Sequence, residues 1–478
     1  MKSRTFRNVV FLISDQHRRD ASGCYGHPLV QTPNIDRLAA EGTRFTQTYA
    51  AAPICGPCRS ALHTGRHVHR CGAITHGHMK EDMGLPMLGR LFREAGYATG
   101  AFGKMHVAGE NEENDIGFDE RALRIYTPMS NDYQHAIGLE NFWKYCSYLP
   151  QYTPKNATPP RNNCNPTNAP IELADELILD YMVADLSNKF LEEHRDEPFF
   201  LWVGLEKPHN EMYAPQRFHD LYDPDSIELP ANIWNSRLRL PDTICDNPTF
   251  PILTPEAYTD RELRCCMAAY YANVSYMDEQ LGRVLDTIDR LGLSDDTLVV
   301  YSTDHGENLF NHNMVQKHCF FETAVGVPLI VRMPGVSEAG SVRTQLTSLL
   351  DLLPTFTEAC GLPTPEGLDG CSLIPVISEN QTLHEAVFSE YYEGGAPERM
   401  IRTGKWKYIH SHNDLHQLYD QEKDPEENIN LIDDPDYASI CTELDERVCR
   451  NWTLPDMSGI AKPRGDTRHG QKSYTGSP

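Results

Sequence analysis

The stretch NVVFLISDQ, Asn8 to Gln16, sets an apolar, β-branched run directly against a carboxylate and an amide. The run is too short for a signal-peptide core and leads into charged residues instead of a small-residue cleavage site, so it reads as a buried strand. The same grammar recurs along the chain. ATGAFG is followed by Lys104 and His106, FFLWVGL by Lys207 and His209, and TLVVYST by Asp304 and His305. Helix signatures lie between these runs. In TPNIDRLAAEG, Thr32 is placed to cap, Pro33 suits the first helical position and Gly42 the exit. In LPMLGRLFREAGY, Leu85, Leu88, Leu91, Phe92 and Ala95 share one face and Gly96 follows them. Longer helices are expected within residues 171–195 and 260–291. This alternation predicts an α/β protein with a mostly parallel sheet. Such sheets bind ligands outside the carboxyl ends of their strands, where the polar residues just named should converge.

Residues 110–170 are rich in Asn, Pro and Tyr with little periodicity, and they read as an insertion, either a substrate loop or a decorative one. Beyond Pro375, HEAVFSEYY, MIRTGKWKYIH and HQLYDQEKDP read as short antiparallel strands. The expected division is a catalytic domain over 1–375 and a smaller α+β domain over 376–478, ending in a polar tail from Asp456.

With 478 residues, 40% of them hydrophobic and 23% charged, the chain has an ordinary globular composition. Its formal charge of −25 argues against binding nucleic acid or an anionic lipid surface. An anion site must therefore create its own positive field from Arg, Lys, metal and helix N-termini. No run approaches the roughly 20 apolar residues of a membrane helix, and a soluble, cytoplasmic protein is expected. The fourteen cysteines are expected as reduced, buried thiols.

Asp15, Gln16, Asp304 and His305 offer mainly oxygen donors with one imidazole, a set suited to Ca²⁺, Mg²⁺ or Mn²⁺ rather than a thiolate-rich zinc site. Lys104, Arg59, Lys317 and two further histidines would surround an anion. Taken singly, each has a structural explanation, as a helix cap or a satisfied core histidine. PICGPCRSALHTGR, Pro53 to Arg66, adds a competing chemistry, because Cys55-Gly56-Pro57-Cys58 spells a thiol–disulfide motif. A zinc site of Cys55, Cys58, His63, His67 and Cys71 is the other alternative, and it leaves Arg59 and Thr64-Gly65-Arg66 unexplained.

Together these residues resemble the formylglycine-dependent sulfatases of the alkaline-phosphatase superfamily. The resemblance rests on Cys55-x-Pro57-x-Arg59 with Thr64-Gly65-Arg66, and on SDQHRRDASGCYG, TPNIDRLAAEGTRF, GYATGAFGKMH, KPHNEMYAP, STDHGE and VPLIVRMPG in the same order. It implies a large mixed, mostly parallel sheet sandwiched by helices. It also implies that Cys55 is oxidised to formylglycine by a formylglycine-generating enzyme. One divalent ion, Ca²⁺ first with Mn²⁺ or Mg²⁺ as alternatives, would be held by Asp15, Gln16, residue 55, Asp304 and His305. A hydroxyl of the hydrated aldehyde would attack sulfur, with Arg59 and the ion lowering its pKa and Asp304 taking its proton. His209 and Lys317 would hold sulfuryl oxygens and protonate the leaving oxygen, and His106 would then free sulfate. The implied substrate is a small anionic sulfate ester, and self-association is left open. Two departures stand out: Cys58 replaces the usual Ser or Ala, and the Asp15–Gln16 and Asp304–His305 pairs resemble choline sulfatase and the phosphonate monoester hydrolases. Lys104 and His106 keep the sulfatase pattern. A phosphonate monoester or phosphodiester hydrolase is the second function, and a redox or zinc protein the third.

Overall fold

The computed structural model describes residues 5–76, 85–107, 116–122, 170, 171, 173–210, 212–235, 238–245, 258–393 and 396–455. Most of the expected insertion over 110–170, and the tail from Asp456, lie outside these residues. Eight strands form one sheet: β1 (Asn8–Asp15), β2 (Thr43–Tyr49), β3 (Ala98–Gly103), β4 (Glu120–Ala122), β5 (Phe199–Pro208), β6 (Thr297–Thr303), β7 (Gly326–Arg332) and β8 (Ser341–Ser348). Their spatial order is β4-β3-β5-β1-β6-β7-β2-β8. Every neighbouring pair is parallel except β7, which runs antiparallel to both β6 and β2.

The residues of β1 alternate between two cores. Val9, Phe11 and Ile13 join one, and Val10 and Leu12 the other. Strand side chains point to opposite faces, so a strand apolar on both faces needs cover on both. The helices Pro33–Glu41, Leu179–Glu193 and Asp260–Arg290 cover one face, whereas Cys55–Thr64, Leu88–Glu94 and Leu352–Ala359 cover the other. Thr259 and Glu262 form a reciprocal capping box at the start of the 31-residue helix.

Two local readings change. The Thr32 side chain does not cap the helix it precedes; its hydroxyl accepts from Gly23 N–H and donates to Asp36. Gly42 is extended, not left-handed, and its smallness matters because a Cβ there would lie 2.6 Å from the Val331 carbonyl oxygen. Gly96, by contrast, is left-handed at φ 85°, as a helix exit favours. Every described cysteine is a free thiol, but Cys245 and Cys371 are exposed, which corrects the expectation of uniform burial.

A second sheet is antiparallel: β9 (Ala386–Tyr391), β10 (Glu398–Thr403), β11 (Trp406–Ser411) and β12 (Gln417–Asp420), in the order β12-β11-β10-β9. Val387, Met400, Ile409 and Tyr419 face inward and enter the same core as Phe11 and Trp202 of the large sheet. Ile401, Tyr408 and Leu418 face outward, where Leu444 and Val448 of the helix Ala438–Cys449 cover them.

Candidate active site

Asp15, Lys104, His209, Asp304 and His305 all lie at strand ends along one edge of the large sheet, and the helix Cys55–Thr64 delivers Cys55 and Arg59 to the same place. Cys55 is the first helical residue, so the positive end of the helix dipole lies at its side chain. Thr64-Gly65-Arg66 closes that helix. Gly65 takes φ 63°, its carbonyl accepts from Asp369 N–H, and Arg66 reaches the Glu366 carbonyl.

The two carboxylates divide their oxygens between charge pairing and an inward cradle. Asp15 Oδ2 is held by Lys104 Nζ at 2.7 Å and Arg59 Nη2 at 3.2 Å, and Asp304 Oδ2 by Arg59 Nε at 2.6 Å. Asp304 Oδ1 accepts the backbone N–H of Gln16 and of His305. Asp15 Oδ1 lies 3.8 Å from Cys55 Sγ, 3.8 Å from His305 Nε2 and 3.9 Å from His209 Nε2. Cys55 Sγ is 3.1 Å from His305 Nε2, which is 3.7 Å from Asp304 Oδ1. Oxygen ligands about 2.4 Å from one cation, at right angles, sit about 3.4 Å apart. The spacings of Asp15, Cys55, Asp304 and His305 bracket that value, and one donor atom from each lies within 4.8 Å of the others. His305 Nδ1 donates to the Gly306 carbonyl, so Nε2 is the ring atom that faces inward. The donor set therefore fits a divalent cation.

Gln16 stands beside this cradle in a left-handed conformation, φ 66°, with its Oε1 accepting from Lys317 Nζ at 2.5 Å. His209 donates Nδ1–H to the Asn210 carbonyl, so Nε2 faces inward. Burial, reinforced by Lys317 and Lys104, pushes its pKa down to about 3 and keeps the ring neutral. Burial also holds His106 neutral, at about 4, despite its hydrogen bond to Cys55. For Cys55, burial works against the thiolate, but Lys317, Lys104 and His305 outweigh it and hold the thiol well below its ordinary range.

Cys58, three residues away, behaves oppositely. Its thiol donates to the Asp304 carbonyl at 2.9 Å, and burial together with Asp304 pushes it up to about 12. No disulfide joins it to Cys55. The alternative zinc residues are not brought together either: His63 stacks on Trp202 at 4.5 Å, and Cys71 Sγ donates to the Val68 carbonyl.

Several residues at the site carry no signal in the sequence. His76 stacks on His106 at 4.6 Å and binds Glu393 through Nδ1 at 2.8 Å. Burial opposes its charge, but hydrogen bonds to Cys55 and Glu393 push its pKa up to about 9. Glu393 follows β9, so the small sheet contributes to the surroundings of Cys55. Tyr391 of the same strand bonds His318 Nδ1 at 3.2 Å. Glu307 receives the Gln16 amide.

A sequence family described as Sulfatase matches residues 7–362, and one described as N-sulphoglucosamine sulphohydrolase, C-terminal, matches 310–453. The chain is 30% identical to a choline-sulfatase of Rhizobium meliloti over 474 residues, covering 94% of this chain and 87% of that protein. It is 28% identical to an ulvan-active sulfatase of Formosa agariphila over 482 residues, covering 96% and 83%. Its fold is that of the phosphonate monoester hydrolase of Agrobacterium radiobacter, with TM-score 0.75 at 24% identity over 93% of this chain and 95% of that one.

Proposed function

This chain belongs to the sulfatase family and hydrolyses sulfate monoesters, and from that premise we propose that it does so with formylglycine at residue 55 and one divalent cation. The observation that carries the reading is the position of Cys55, with Asp15 and His305 on one side and Lys104, Lys317 and Arg59 close by. When bound, the cation would polarise the attacking oxygen and a sulfuryl oxygen, with Asp15, Gln16, Asp304, His305 and residue 55 holding it. The oxygen-rich donor set favours Ca²⁺, with Mn²⁺ or Mg²⁺ as the alternatives. Oxidised residue 55 supplies a hydrated aldehyde, one hydroxyl to attack sulfur and a second whose deprotonation releases the product.

The remaining work falls to side chains. Arg59 is locked by Asp15, Asp304 and two backbone carbonyls, so its charge stays fixed beside residue 55. Asp304 is the acceptor for the attacking hydroxyl's proton. Lys104 and Lys317 face the anion, and the charge of a bound ester would offset the part that these two lysines add to burial in keeping His209 neutral, readying it with Lys317 to protonate the leaving oxygen. His106, neutral and stacked under His76, takes the proton from the second hydroxyl. A formylglycine-generating enzyme is the implied maturation partner, and a small sulfate ester the implied substrate.

The Cys55 peptide is expected to weigh about 18 Da less than its unmodified form, as conversion of the thiol carbon to an aldehyde requires. An unmodified peptide in fully active protein would overturn the reading. The second reading, a phosphonate monoester or phosphodiester hydrolase, draws on the Asp15–Gln16 and Asp304–His305 pairs, since those esters carry the same single charge. With one leaving group, kcat/KM is expected to be highest for the sulfate monoester. A phosphonate monoester better by more than about tenfold, roughly 1.4 kcal/mol in transition-state binding, would reverse the order.

A further inference from the structure

We propose that Glu307 is a positioning residue that fixes which end of the Gln16 side chain faces the cation site. The inference deepens the reading above and rests on Gln16 as a cation ligand. A primary amide has an acceptor end and a donor end, and only the oxygen can ligate a cation. The backbone of Gln16 does not decide between them; the partners of its side chain do. Gln16 Nε2 donates to Glu307 Oε2 and to Asn210 Oδ1 at 3.3 Å, while Oε1 faces Lys317. Glu307 is 1% exposed, and its other oxygen accepts the backbone N–H of Leu309 at 3.0 Å and of Gln316. Three N–H donors thus converge on one carboxylate. Gln16 is left with no way to turn its amide without setting a second oxygen against Glu307.

The other half of Glu307 acts on the segment that carries Lys317. Leu309, Phe310, His312, Asn313, Gln316 and His318 all have φ between 42° and 76°, a conformation that side-chain-bearing residues adopt only when their surroundings impose it. Glu307 grips this segment at Leu309 and Gln316, the residue before Lys317. Asn308 N–H to the Gln316 carbonyl and His318 N–H to the Pro53 carbonyl close it further. One carboxylate therefore sets both the amide of Gln16 and the lysine bonded to it.

The test is a donor–acceptor swap read by cation affinity. Purified protein depleted of metal is titrated with Ca²⁺ and with Mn²⁺ by calorimetry, alongside its thermal midpoint. Glu307→Gln places an amide donor against either Gln16 Nε2 or the backbone N–H groups. Cation affinity is expected to fall about tenfold or more, the usual range for losing a group that orients a ligand. Adding Gln16→Glu to that variant restores one donor facing one acceptor and an oxygen facing the cation, and should return affinity to within about threefold of the parent. Gln16→Glu alone sets two carboxylates against each other and is expected to bind the cation no more tightly than the parent; a gain there equal to the gain in the Glu307→Gln background would be the added charge alone and would overturn the proposal. If Glu307→Gln binds the cation like the parent, or the folded double variant stays as weak as the single, the proposal is overturned. If the single variant does not fold, a folded double with parental affinity supports the proposal and a double that also fails overturns it. A parent that binds no stoichiometric divalent cation would overturn the cation reading itself, and this inference with it.

Discussion

Two groups of buried charges flank the segment between β6 and β7, and they are finished differently. At its far end, Lys407 of β11 uses its three ammonium hydrogens on Glu322 at 2.8 Å, Glu427 at 2.6 Å and the Phe320 carbonyl at 2.8 Å. Arg19 holds the other oxygen of Glu322 at 3.0 Å, and Arg402 Nε lies 3.6 Å from the oxygen that Lys407 holds. Cations and anions meet directly there, beside a cavity that Arg19, Glu322 and Arg402 also line. At the near end, the Oδ2 atoms of Asp15 and Asp304 are paired just as tightly, but Asp15 Oδ1 faces His305, Cys55 and His209 at 3.8–3.9 Å. Those gaps are too long for hydrogen bonds between oxygen and nitrogen and right for a shared ion. A buried charge cluster whose cations and anions pair directly holds sheets together, and one whose inward atoms stop short of pairing holds something else.

Substitutions at the open cluster should be lethal to turnover. Cys55→Ser is expected to lower kcat by about 1,000-fold or more, because serine can attack but cannot expel the sulfate it gains. Asp304→Ala should lose similarly and also lose the cation, which elemental analysis would register. Retained turnover in either variant would erase the distinction between the clusters.

The Lys407 cluster should show the opposite pattern. Lys407→Met leaves Glu322 and Glu427 buried without their shared cation, and a loss of about 3–5 kcal/mol is expected from thermal or urea unfolding. The folded fraction should keep parental kcat/KM within about twofold, and a catalytic defect at parental stability would break the comparison.

Acid sharpens it further at Glu390, a buried carboxylate outside both clusters, which β9 aims at His69 and Arg399. Burial disfavours its charge, but a hydrogen bond from His69 and the charges of His67 and Arg399 pull its pKa down to about 2. A carboxylate lowered on folding stabilises the protein above its unfolded pKa and loses that contribution as the pH falls through the folded value. The window therefore runs from about pH 4 down to about 2, and Glu390→Gln should remove roughly 3 kcal/mol of pH dependence from the acid limb of the stability curve. An unchanged limb would assign that dependence elsewhere. The smallest effect is expected at Cys58→Ser. The hydroxyl can donate to the Asp304 carbonyl as the thiol does, so stability should shift by less than about 1 kcal/mol with turnover nearly unchanged, and a large loss would return attention to Cys58 in maturation.

The strand ends were legible because a parallel sheet gathers the residues at the carboxyl ends of its strands along one edge, and Asp15, Lys104, His209, Asp304 and His305 all lie there. Cys55 and Arg59 were legible from a motif whose spacing places both on one side of a helix. His76 and Glu393 were not, since their pairing joins a segment near the first helices to the turn after β9, more than three hundred residues later. Glu307 sits in plain view within STDHGE, but its partners depend on left-handed residues that no local preference announces. Thr32 shows the same limit in miniature: capping preference is local, and Asp36 and Gly23 override it through tertiary placement.

The central position of β1 has a consequence for how the chain is made. Among the strands described it leaves the ribosome first, yet its two neighbours, β5 and β6, emerge only about 190 and 290 residues later. At 5–20 residues per second, NVVFLIS waits roughly 10–40 s before either edge can pair and roughly 15–60 s before both can. Contacts this distant in sequence also make for slow closure. The newborn chain is thus most vulnerable to clumping before Thr303 appears, and a chaperone that recognises short, extended apolar segments would find a grip at NVVFLIS.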